Sequence, residues 1–221
     1  MEKHPLHISS IELRHTLPAV FAGTPKRHSQ IWEQDVKLER GNTYIIAAAS
    51  GTGKSSMCAY IYGSRRDYSG TILFDNQNVA DFNIDHWLAL RRTALAYLPQ
   101  ELDLFPELSA WQNIELKRRL TDFTPPQRVE EWMEQLGIAD RRDFPVGKMS
   151  IGQQQRVGII RSLCQPFDFI MLDEPVSHLD VENNRLAAKM ILDEALRQGA
   201  AVVATSVGNH LAIPQPIMLE L

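Results

Sequence analysis

Ala47-Ala48-Ala49-Ser50-Gly51-Thr52-Gly53-Lys54-Ser55-Ser56 decides the reading of this chain. An apolar run, residues 44–47, leads into it and a segment able to form a helix follows, so it reads as strand, glycine-rich turn and helix start. Successive backbone N–H groups in such a turn point inward, and the helix N-terminus adds partial positive charge. Together they make a cradle for phosphate. Lys54 then reaches the outer phosphates, Ser55 meets a magnesium ion, and Ser50, Gly51, Thr52, Gly53 and Ser56 complete the cradle. The strict pattern has a glycine where this chain has Ala48, and a left-handed turn at alanine costs roughly 1–2 kcal/mol. The competing reading is an incidental Gly/Ser turn.

With 221 residues and 44% hydrophobic content, the chain suffices for one α/β domain, at most with an inserted subdomain. A net charge of -4 lacks the basic face that counterion release requires, so no nucleic-acid partner is expected. Cys58 and Cys164 show neither paired nor metal-binding spacing and read as reduced thiols of a cytosolic protein. Residues 1–15 have no apolar core, so no signal peptide is expected, and no apolar run reaches the roughly 18–20 residues of a membrane helix. A role at a membrane would need another chain to supply the span.

Strands are expected over residues 8–13, 31–38, 71–74, 95–98, 167–172, 200–205 and 216–221, with a loop over 16–30 and turns at 68–70 and 75–78. Helices are expected over 85–93, from Ser109 through Leu120, and over 181–198, ending at Gly199. Thr124-Pro125-Pro126-Gln127 has capping-box spacing and opens a helix that aligns Val129, Trp132, Met133 and Leu136 on one face.

The stretch Ile170-Met171-Leu172-Asp173-Glu174-Pro175 puts two carboxylates at the tip of an apolar strand. Ligands bind at such ends of open parallel sheets. Asp173 is suited to orient magnesium and Glu174 to polarise an attacking water, although Asp-Glu-Pro also reads as a solvated turn. Upstream, Ser150-Ile151-Gly152-Gln153 has capping-box spacing, which explains it structurally; the same helix start also offers a hydroxyl and free N–H groups to a phosphate.

In combination these stretches resemble the ATP-binding-cassette (ABC) ATPase family from the first strands to the last. Residues 47–56 resemble its Walker A, Tyr97-Leu98-Pro99-Gln100 its Q-loop, and Met149-Ser150-Ile151-Gly152-Gln153 its signature. Met171-Leu172-Asp173-Glu174-Pro175 resembles Walker B with the catalytic glutamate, and Ser177-His178-Leu179-Asp180 the D-loop. The resemblance implies a P-loop NTPase fold: a RecA-like parallel sheet core with an antiparallel β element. It also implies a helical subdomain inserted at about residues 101–165 of a single domain.

The resemblance further implies ATP and magnesium as ligands and a head-to-tail homodimer in ATP. Ser150, Gly152 and Gln153, with Asp180, would act on the partner's nucleotide, Gln100 would join Ser55 and Asp173 at the magnesium and water site, and Phe21, ahead of Trp32, would stack on adenine. An integral membrane subunit would be the partner, its helix received in a groove beside Gln100, with the chain peripheral on the cytoplasmic face of the cell membrane. The stretch 104–116, the absence of a C-terminal regulatory domain and the long loop after Phe21 resemble the group serving lipoprotein release, macrolide export and cell division.

Three departures stand out: Ala48, Ile151 where the signature has a glycine, and Ser206 where the family has its switch histidine. A β-branched residue resists positive φ, so Ile151 should take an ordinary conformation. A hydroxyl is a shorter donor than an imidazole and carries no charge; losing a contact of roughly 1.5–3 kcal/mol would slow hydrolysis roughly ten- to a hundredfold. His210 lies past a Gly208-Asn209 turn and reads as structural or solvated rather than as a substitute. His178 reads as a packing variant, and Arg156 and Arg161 as structural. Two other readings stay open: an ATP-gated dimerisation module with little turnover, and a soluble ABC ATPase outside transport.

Overall fold

The structure, a computed structural model, describes residues 6–23 and 28–221. Residues 1–5 of the segment read as free of a leader, and residues 24–27 of the loop expected over 16–30, lie outside the described residues.

In chain order the elements are β1 (Ser10–Pro18), β2 (Asp35–Glu39), β3 (Thr43–Ala47), α1 (Lys54–Ile61), β4 (Tyr68–Phe74), β5 (Gln77–Asn78), α2 (Ile84–Thr93) and β6 (Leu95–Leu98). There follow α3 (Ala110–Arg118), α4 (Pro126–Gln135), α5 (Ile151–Leu163), β7 (Phe169–Asp173), α6 (Val181–Gln198), β8 (Ala201–Ser206) and β9 (Ile217–Glu220). An antiparallel sheet in the order β2-β1-β4-β5 lies beside a parallel sheet in the order β6-β7-β8-β3-β9. This is the P-loop NTPase architecture expected from the sequence. The inner strands β7 and β8 read as largely apolar runs because both faces are covered and every residue in them is buried, whereas the edge strand β9 is largely exposed.

Two apolar clusters hold the layers. One joins Ile45, Leu98, Ile170 and Val202 to the helices through Ile114, Trp132 and Ile160; the other joins Ile46, Phe169 and Met171 to the antiparallel sheet through Ile11, Leu13 and Ile72. Helices α3 and α4 pack on α5, and α5 packs on β6 and α6. The expected face of α4, Val129, Trp132, Met133 and Leu136, is buried. Asp168, the polar break in the apolar run, is buried too and accepts from the Ile8 N–H at 2.7 Å, with the Arg40 guanidinium at 3.0 Å; it ties the N-terminal segment to the start of β7.

Several local expectations need correcting. Residues 16–18 are strand, continuing β1 past a bulge, and 31–34 precede β2. Tyr68, Ser69 and Gly70 begin β4 rather than form a turn: Gly70, at φ 84°, lies so close to β1 that a Cβ would stand 2.4 Å from the His15 carbonyl. The capping box at Thr124 does not form. With Pro126 opening α4 the N-cap is Pro125, one residue too late for Thr124, whose hydroxyl is buried without a partner.

Candidate nucleotide site

The loop between β3 and α1 takes its shape from two glycines, Gly51 at φ 77° and Gly53 at φ 97°. Ala48 is not among the left-handed residues, so the strain anticipated there is absent. Its N–H donates to the Ser206 carbonyl at 3.2 Å, continuing the ladder between β3 and β8. The Thr52 hydroxyl closes the loop on the Ala49 carbonyl at 2.9 Å. Beneath it the buried Trp32 indole donates to the Thr52 carbonyl at 2.8 Å. A Cβ on Gly53 would meet both the Phe21 and Trp32 rings at 3.1 Å. Trp32, ranked behind Phe21 as an adenine platform, is thus the brace of the loop, with Phe21 beside it. Ser50, Gly51 and Ser55 are exposed; the Ser56 hydroxyl accepts from Arg65 at 3.0 Å.

The Lys54 side chain is only 5% exposed, its ammonium 3.0 Å from the Ala49 carbonyl and 3.5 Å from a Glu174 carboxylate oxygen. β7 lies one strand from β8, and β8 one strand from β3, which brings Asp173, Glu174 and Ser206 to the same end of the sheet as the loop. The Thr205 hydroxyl donates to Asp173 at 2.6 Å and accepts from the Glu174 N–H at 3.1 Å. The second Asp173 carboxylate oxygen is buried with no protein partner. Burial, reinforced by the nearby Asp173 charge, raises the Cys58 thiol well above its ordinary range, so it stays protonated on the buried face of α1.

Glu174 itself sits at φ 52°, a left-handed conformation unusual for a glutamate. Gln155, buried on α5, holds it there: its amide donates to the Glu174 carbonyl at 3.0 Å and its oxygen accepts from the His178 N–H at 3.1 Å. A Cβ on Gly152 would meet the His178 carbonyl at 2.9 Å, so α5 and the segment after Glu174 touch at two places. Sequence reading missed both Gln155 and Thr205. A glutamine inside a Gln-rich helix and a threonine inside an apolar strand carry no pattern of their own; both become visible only through the contact of β7 with β8 and α5.

The helix start at Ser150 is a complete capping box: its hydroxyl accepts from the Gln153 N–H, and Gln153 returns an acceptor to the Ser150 N–H. Ile151 is the first helical residue, half-exposed, so the expected ordinary conformation is what it takes. Among the described residues no hydrogen bond or ion pair links Ser150, Gly152 or Gln153 to residues 48–56. Gln100 is exposed just past the end of β6. Asp180 caps α6, accepting from the Asn183 N–H and side-chain amide at 2.8 Å each, and these bonds hold its carboxyl below the usual carboxylate range. The structural readings of Arg156 and Arg161 hold: Arg156 binds the Leu136 carbonyl and Asn183, and Arg161 the Asp103 carbonyl. His210 does not stand free. Its Nδ1 is 2.5 Å from the Ser206 hydroxyl oxygen, so of the structural and solvated alternatives it takes the structural one.

A phosphate loop, an acidic strand tip and a capped helix joined to it by Gln155 are parts of one arrangement, and the sequence pattern of the family described as ABC transporter matches residues 33–177. The chain belongs to the ABC transporter family. The macrolide export ATP-binding/permease protein MacB of Rhodopseudomonas palustris (strain HaA2) is 31% identical over 217 residues, 96% of this chain and 33% of that protein. The pyoverdine export ATP-binding/permease protein PvdT of Pseudomonas syringae pv. tomato is 29% identical over 219 residues, 98% of this chain and 33% of that protein. This ABC chain therefore spans about a third of the length of these curated relatives. Its fold matches a dimeric structure of MJ0796, a bacterial ABC transporter cassette, with a TM-score of 0.76 at 24% identity, covering 95% of this chain and 94% of that one.

Proposed function

We propose that this chain is the ATP-hydrolysing part of an ABC transporter, driving an integral membrane partner through ATP-dependent head-to-tail dimerisation. The observation that carries the reading is the buried Lys54 ammonium, set in the loop and 3.5 Å from Glu174. Phosphate oxygens entering the loop compete for this ammonium and leave the Glu174 carboxylate able to take a proton from an attacking water. Glycine-shaped backbone N–H groups and the start of α1 stabilise charge on the phosphates. The Thr205 and Gln155 bonds keep the carboxylate where the strand end puts it.

Magnesium, when bound, neutralises charge between the outer phosphates; Ser55, Asp173 and Gln100 are the residues that would hold it. The unpartnered, buried Asp173 oxygen suits a hard cation. Ser150, Gly152 and Gln153, exposed or half-buried at the start of α5, serve the nucleotide of a second copy, with Asp180 beside that interface and Phe21 on the adenine. Residues 101–165 act as a helical subdomain that moves with Gln100.

Among the described residues no helix is long and apolar enough to cross a membrane. In this reading the partner supplies the span and the chain works on the cytoplasmic face. A groove lined by Tyr62, Tyr97, Pro99, Leu102, Lys117 and Arg161, next to Gln100, is where a partner helix docks. The homology to MacB and PvdT favours export as the direction.

One specific feature favours a second reading, an ATP-gated module with little turnover: a serine rather than an imidazole ends β8. Magnesium-dependent ATP turnover of the purified chain, alone and with a co-purified membrane partner, distinguishes them. Turnover abolished by Glu174→Gln supports the ATPase; none above background in either preparation supports the module.

A further inference from the structure

Ser206 ends β8 and is 2% exposed, whereas His210 is exposed four residues later. A turn and the bonds of two asparagines fold the intervening segment back. Gly208 turns left-handed at φ 76°; the Asn209 amide donates to the Val176 carbonyl at 2.9 Å; and Asn184 on α6 donates to the His210 carbonyl at 2.9 Å while accepting from the Ala212 N–H at 3.0 Å. The buried Leu211 anchors the same segment. The imidazole is therefore held against the Ser206 hydroxyl by a backbone fixed on two sides, and the turn that argued against His210 in the sequence is what brings it back.

A serine hydroxyl has one proton. If that proton is donated to His210 Nδ1, only lone pairs are left to face an anion; if Nδ1 carries hydrogen and donates to the serine oxygen, the hydroxyl proton is free to point elsewhere. We propose that His210 is the positioning residue of Ser206: its Nδ1–H donates to the Ser206 oxygen and turns the hydroxyl proton toward the terminal phosphate of ATP. An anion at that place selects the Nδ1–H tautomer or the imidazolium, since either leaves the hydroxyl free to donate. A serine and a histidine four residues apart thus do together what a single longer side chain would do at the end of β8. This rests on the reading of Ser206 as facing the phosphate.

The test uses the full chain and compares steady-state ATP turnover of wild type, Ser206→Ala, His210→Ala, His210→Asn and the Ser206→Ala/His210→Ala double variant, with matching thermal midpoints confirming folding. Losing a hydrogen bond to a charged oxygen predicts that kcat falls at least about tenfold in either alanine variant and no further in the double, while KM for ATP moves much less. Asparagine places an amide N–H near the imidazole Nδ1 position, so His210→Asn recovers most of the loss. Wild-type turnover in Ser206→Ala would overturn the reading of Ser206 itself. A loss in Ser206→Ala with none in His210→Ala, or losses that multiply in the double variant, would overturn the role of His210 alone. Long-range ¹H–¹⁵N spectra of the imidazoles in Glu174→Gln with magnesium and ATP read the same bond without turnover. Hydrogen on His210 Nδ1, perturbed by Ser206→Ala, is expected, and a bare Nδ1 would refute the proposal.

Discussion

Replacing Gln155 by leucine keeps its volume and removes every polar contact it makes. The amide donates to the Glu174 carbonyl at 3.0 Å and to the Ser177 hydroxyl at 3.3 Å, and its oxygen accepts from the His178 N–H at 3.1 Å. Each such bond contributes about 1 kcal/mol net, and a left-handed glutamate adds roughly 1–2 kcal/mol of strain that the clamp holds in place. Because Ser177 and His178 are exposed and find water, the expected loss is about 2 kcal/mol, a fall in thermal midpoint of roughly 4–8 °C for a chain of this size. The larger effect is on chemistry. Once released, Glu174 relaxes from φ 52°, and its carboxylate shifts from the strand tip, which predicts a roughly ten- to hundredfold lower kcat. Gln155→Glu keeps the acceptor for His178 but aims a buried carboxylate at the Glu174 carbonyl, so it should lose turnover as the leucine variant does and at least as much stability. Calorimetry and a coupled ATPase assay read both. A leucine variant with the wild-type midpoint and wild-type turnover would refute the clamp.

Asp168→Ala strands the buried Ile8 N–H, while Arg40 loses one partner but keeps the Gln198 and Gly199 carbonyls, and should destabilise the chain by about 2 kcal/mol in urea unfolding. Gly70→Ala drives a methyl group into the His15 carbonyl at a φ of 84° and should cost roughly 2–4 kcal/mol by the same measurement. The Arg118 bond to Glu115, with a second from Arg119, holds that carboxyl below the usual glutamate range. A lowered folded-state value stabilises above the unfolded pKa of about 4.3 and loses that contribution as pH falls through the folded value, so the stability gap between wild type and Glu115→Gln should be constant above about pH 5 and shrink below pH 4.

What was legible in the sequence was whatever one short stretch encodes by itself. The phosphate loop, the acidic tip of β7, the capping box at Ser150 and the span of α6 all rest on neighbours within a few residues, and each formed where expected. Apart from Thr124, whose cap fails locally because α4 starts one residue later, misreadings arose where a distant strand overrides local preference. Gly70 reads as a turn until β1 pairs across it, and Ala48 reads as strained until its N–H is seen to extend the β3–β8 ladder instead. At the site, Trp32, Gln155, Thr205 and His210 act through contacts spanning from four residues to more than thirty, and no pattern in one stretch announces them.

Whether this arrangement hydrolyses ATP is tested most directly by turnover of the full chain with magnesium, before and after Glu174→Gln, alone and with the proposed membrane partner. A buried Lys54 beside Glu174 predicts turnover that the substitution lowers by two orders of magnitude or more while ATP binding persists. Equal turnover in the two proteins would contradict it.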